Sequence, residues 1–72
     1  MTQREKILRH LQQFGSITPV EAIREYGIYR LAARISELAE EYPIEATLVK
    51  GVNRFGDQVR YSRYRLVSAD RR

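Results

Sequence analysis

Arg30 and Arg34 stand four positions apart, the spacing that puts two side chains on one face of a helix. A guanidinium in such a place can make paired hydrogen bonds to a guanine edge or clamp a phosphate. The same spacing also suits a plain surface role, in which the two arginines pair with Glu37 or Glu41 and keep the face wet. Farther along, Lys50, Asn53, Arg54, Gln58 and Arg60 gather around a turn-forming stretch. Long donors there can follow a phosphate backbone or enter a minor groove, although a charged tip also keeps sheet edges from pairing.

The charge is concentrated in the second group. From Met1 to Leu48 there are six Lys/Arg against seven Asp/Glu, and from Val49 to Arg72 seven against two, within a net charge of +4. The last third of the chain therefore favours an anionic partner.

Catalytic chemistry finds little support. His10 is the sole histidine, at the edge of an apolar stripe, and suits the rim of a core better than a base or a ligand. With no cysteine there is no thiol nucleophile, disulfide or cysteine-bearing zinc site, and no phosphate-cradling glycine loop is present. Glu21 with Glu25, and Glu40 with Glu41, fit capping and helix solubility. No enzymatic activity, cofactor or metal is expected. No apolar run approaches the roughly 18 residues that cross a bilayer, and the N-terminus has no signal-like apolar region, so a cytoplasmic protein without a membrane partner is expected.

Seventy-two residues allow one domain with one small core. Thr2 with Glu5 makes a capping box, and Ile7, Leu8, Leu11 and Phe14 form an apolar stripe, predicting a first helix from about Gln3 to Phe14. Ser16, Ile17 and Thr18 make a short extended link, a minimal strand. Thr18, Pro19 and Glu21 then start a second helix that runs to Tyr26, where Gly27 stops it and Ile28 turns the chain inward. The third helix is expected from about Tyr29 to Glu41, with Leu31, Ala32, Ile35, Leu38 and Ala39 inward and Tyr29, Arg30, Ala33, Arg34 and Glu37 outward. Ile35 is expected at the centre of the core, on the one helix that touches both other helices and the hairpin.

Pro43 forbids further helix, and the period then changes to two. Ile44, Ala46 and Leu48 are expected on the buried face of a strand, paired with Leu66, Tyr64 and Ser62 of a second strand near Val59 to Val67. On the outer face Glu45 meets Arg65. The hairpin reverses around Arg54, Phe55 and Gly56, with Gly56 left-handed. Phe55 is expected to fold back on Tyr61, the alternative being to stack on a sugar or base. Tyr26, Tyr42, Tyr61 and Tyr64 lie beside core positions, whereas Tyr29 is free. Residues 1–67 make the domain and 68–72 a flexible tail.

Three helices followed by a two-stranded hairpin make an α+β winged helix-turn-helix. From Gly15 to Leu66 the chain also resembles the small winged-helix proteins of bacteriophages and prophages, through the strings GSITPVEAIREYGIYRLAARISEL, YPIEATLVK, NRFG and RYRL. That resemblance implies a DNA-binding regulator or recombination accessory factor of a mobile element. By it Tyr29, Arg30, Ala33 and Arg34 fall on the recognition helix and Arg54 on the wing. Double-stranded DNA is thus the expected partner, with a homodimer or partner protein adding contacts. Winged helices are also reused as protein-binding modules, and inhibition of a host protein is the alternative.

Overall fold

Reciprocal hydrogen bonds begin each of the first two helices. The Thr2 amide donates to Glu5 Oε1 at 2.7 Å while the Glu5 amide donates to Thr2 Oγ1 at 3.1 Å. The donated Thr2 amide holds the Glu5 carboxyl below its ordinary range. Thr18 and Glu21 repeat the arrangement at 2.9 and 3.3 Å, with Pro19 in the first turn. Helix α1 spans Gln3–Phe14 and α2 spans Pro19–Tyr26, joined by the two-residue strand β1, Ser16–Ile17. Both helices match the expectation, and the strand stops one residue short of it because Thr18 is taken up as the cap of α2. The computed structural model describes residues 1–67, so the expected flexible tail, 68–72, lies outside the described residues.

Helix α3 is shorter than expected, Leu31–Leu38. Gly27 adopts a φ of 68°, and the Ile28 amide then donates to the Ala22 carbonyl, which drives Ile28 fully into the core. Returning to the core at Leu31 takes two non-helical residues, Tyr29 and Arg30, and Arg30 has φ −111° and ψ 56°. At the other end the Glu40 and Glu41 amides bond three residues back, to Glu37 and Leu38, and Pro43 follows. The inward face is also narrower: Leu31, Ile35 and Leu38 are buried, while Ala32 and Ala39 face solvent.

Strands β2 (Ile44–Val52) and β3 (Gln58–Leu66) form the hairpin, and β1 pairs with the other edge of β3 to give an antiparallel sheet of order β1-β3-β2. The expected register holds, with Ile44 opposite Leu66, Ala46 opposite Tyr64 and Leu48 opposite Ser62. Glu45 and Arg65 form the expected cross-strand pair at 3.0 Å. The burial of that face does not hold along its length, since Ala46 is exposed and Leu48 is 56% exposed. The core ends with Ile44, Tyr64 and Leu66, and beyond it the hairpin runs past the helices. Half-buried Val49 faces Tyr61 on the opposite side.

The core comprises Ile7, Leu11, Ile17, Ala22, Ile28, Leu31, Ile35 and Leu38, with Leu8, Tyr26, Tyr42, Ile44, Tyr64 and Leu66 packed against it. Its hub is α1, which packs on α2, α3, β1 and β3, so the central position expected for α3 and its Ile35 belongs instead to α1, through Ile7 and Leu11. Phe14 leaves the predicted stripe and lies mostly in solvent, its ring 4.7 Å from that of His10. His10 is buried beside it, with Nδ1 2.7 Å from the Tyr26 hydroxyl, a polar contact tying α1 to the end of α2.

Leu11→Ala and Ile35→Ala should each cost about 2 to 5 kcal/mol in urea unfolding. Leu11 is 1% exposed and Ile35 6%, and the hub position makes Leu11→Ala the more costly. The reverse order would place the centre of the core on α3 after all.

Candidate nucleic-acid interface

Two clusters of candidate residues emerge from this frame. The first surrounds the α2–α3 turn, where Gln3, Gly27, Tyr29, Arg30 and Arg34 line one shallow hollow. Tyr29 is 78% exposed, as expected of a free ring, and Arg30 is exposed beside it. Both precede α3 instead of lying on it, so they flank the helix start. No side chain caps α3, whose first amides therefore have no reciprocal partner of the kind found at α1 and α2. Gln3, from the start of α1, has no signal in the pattern of α3 and enters the cluster only through tertiary packing.

Arg34 is placed differently from Arg30. Its Nη2 lies 3.3 Å from Glu37 Oε2, while Glu37 Oε1 lies 3.6 Å from Arg4 Nε. One carboxylate thus holds two guanidinium groups and ties α3 to α1. The Arg34 Nε is buried without a hydrogen-bond partner among the described residues. Arg34, Ala33 and Glu37 are half-buried, and the open face of α3 passes instead through Ala32 and Ser36, followed beyond its end by exposed Ala39 and Glu40. Sequence reasoning missed Ala32 because its apolar side chain was counted into a buried stripe wider than the real one, and Ser36 because it carries neither charge nor ring.

The second cluster is the far half of the hairpin. Lys50 sits directly opposite Arg60, and Val52 opposite Gln58. Like charges facing each other across an antiparallel pair destabilise it, and neither cation has an ion-pair partner among the described residues. Lys50, Gln58 and Arg60 share one side of the ribbon by the alternation of strand side chains.

Beyond this rung the turn is tightly made. The Asn53 amide donates to the Asp57 carbonyl and the Gly56 amide to the Asn53 carbonyl, each at 3.0 Å. Gly56 has a φ of 85°, the left-handed position that closes a three-residue loop of Arg54, Phe55 and Gly56. Asn53 Oδ1 accepts from the amides of Phe55 and Asp57, at 2.9 and 3.0 Å. Asn53 therefore shapes the tip with its oxygen. Phe55 does not fold back on Tyr61 as expected; it is 79% exposed at the tip of the closed loop.

A family model for a winged helix-turn-helix domain matches residues 2–69. The chain belongs to that family. No curated protein and no solved structure is significantly similar to it. In this winged helix α2, the Gly27–Arg30 turn and α3 form the helix-turn-helix, and the β2–β3 hairpin is the wing. No helix among the described residues is long and apolar enough to cross a membrane. No group of three or more His, Cys, Asp or Glu among them could hold a metal ion.

The wing tip owes its shape to one amide oxygen. Asn53→Ala removes an acceptor shared by two amides and should cost about 1 to 2 kcal/mol, whereas Asn53→Asp keeps the acceptor and should cost less. Thermal unfolding of the three proteins checks this, and equal stability of all three would show that the backbone bonds alone close the loop.

Proposed function

We propose that this winged helix is a sequence-specific double-stranded DNA-binding protein, a transcriptional regulator or recombination accessory factor of a phage or mobile element. The observation that carries the reading is the rung of Lys50 and Arg60, without an ion-pair partner among the described residues, on a wing already rich in cations. Self-repulsion there is relieved when an anion lies against both, and a phosphate backbone supplies such anions in a row. Arg54 at the tip and Asn53 and Gln58 beside the rung extend the same surface.

Helix α3 would enter the major groove with Tyr29 and Arg30 leading. The small, exposed side chains of Ala32 and Ser36 allow close approach of the helix to base edges, with half-buried Ala33 beside them. Arg34, held by Glu37, would stand behind them. The mobile-element role rests on the likeness of GSITPVEAIREYGIYRLAARISEL, YPIEATLVK, NRFG and RYRL to phage and prophage winged helices. One domain of this size contacts few phosphates, so a homodimer or a partner protein would add affinity by linking sites.

Selection of preferred duplexes from a random pool at two salt concentrations tests the reading. Neutralising Lys50, Arg54 and Arg60 together should lower the slope of log affinity against log salt by roughly two to three, with site preference kept. An unchanged slope would remove the wing from the interface.

Arg30→Ala should cost about 1 to 3 kcal/mol on the preferred site and relax one base position. Arg34→Ala, by loss of the Glu37 pair, should shift stability by about a few tenths of a kcal/mol and alter preference less. Undiminished affinity and preference in both variants would end the assignment of α3 as the reading helix.

A further inference from the structure

Phe55 is the most exposed large apolar side chain among the described residues, and it sits at the point of the molecule farthest along the wing. An exposed aromatic ring at a loop tip is ordinarily free to collapse onto its neighbours. Here the ring stands in solvent on a backbone already fixed, since four hydrogen bonds close the five residues Asn53 to Asp57, two of them to Asn53 Oδ1. The ordering that a binding loop usually loses entropy to achieve is already present in the free protein.

The surroundings of the ring select its partner. Arg54 adjoins it and the Lys50–Arg60 rung lies just below, with Asp57 the sole carboxylate in the loop. A surface that covers this ring must be apolar where it meets the phenyl group and negative on either side. The gap between two stacked base pairs, with a phosphate backbone along each edge of the groove, has that character. Reach agrees with this. Ala46 to Val52 spans about 20 Å beyond the last core pair, comparable with roughly half a turn of duplex, so a wing beside a major-groove helix comes to the next minor groove.

We propose that Phe55 is a wedge that enters the minor groove, partly unstacks one base step and bends the duplex. The proposal rests on the DNA-binding reading above and adds a deformation that phosphate contacts alone would not produce. It predicts a preference for easily unstacked pyrimidine–purine steps at the wing position, where no hydrogen bond from the protein reads the bases.

The test uses a duplex selected by the wild-type protein, with a fluorescent adenine analogue at the wing position and a donor–acceptor dye pair at its ends. Wild type should brighten the analogue and bring the ends together. Phe55→Ala should do neither and should bind about tenfold more weakly, while Phe55→Leu, which keeps an apolar wedge, should retain the bend. Equal brightening and bending by Phe55→Ala would overturn the wedge while leaving DNA binding intact. Failure of the wild-type protein to bind any duplex would remove the DNA-binding reading and the wedge together. The high exposure of Phe55 means that all three proteins should melt alike, so loss of fold cannot imitate loss of the wedge.

Discussion

Burial of Ile28 governs the face this molecule presents. With its amide bonded to the Ala22 carbonyl and its side chain wholly inside, Ile28 fixes the direction in which the chain leaves α2. The next core residue is Leu31, and the two residues between have to span the gap. Tyr29 and Arg30 are therefore carried outward at the mouth of α3. The rotation of α3 about its axis follows from Leu31, Ile35 and Leu38, and with it the exposure of Ala32 and Ser36.

A core of eight buried side chains cannot support every part of seventy-two residues. It is gathered around α1, and among the described residues the sheet joins it through Ile17, Ile44, Tyr64 and Leu66. The far wing is held by a different kind of force: backbone pairing between β2 and β3, and the closed turn at Asn53. Those bonds are directional where apolar burial is not, so a projecting ribbon can keep its shape without a core beneath it. Its charges can then repel one another at little risk to the helices.

The parts legible in the sequence were those decided by neighbours in the chain. The two capping boxes, Pro19 and Gly27 fixed α1 and α2 to the residue, because cap chemistry acts over three or four positions. The hairpin register was also legible, since matching Ile44 to Leu66 leaves few alternatives. The start of α3 was not, because it depends on the path from Ile28, a tertiary matter. Alternation of Ala46 and Leu48 showed which side they face but not that the helices stop short of them. The Glu37 link to Arg4 joins residues thirty-three positions apart and left no local pattern.

The independence of the far wing from the core has a consequence for descent. Substitutions or added residues between Val49 and Tyr61 touch no member of the buried cluster, so their effects should sum with changes elsewhere instead of compounding them. A lineage can therefore alter the reach, charge or tip of this hairpin while the three-helix body stays the same. Divergence should be fastest along this ribbon, where a substitution leaves the packing of the helices as it was.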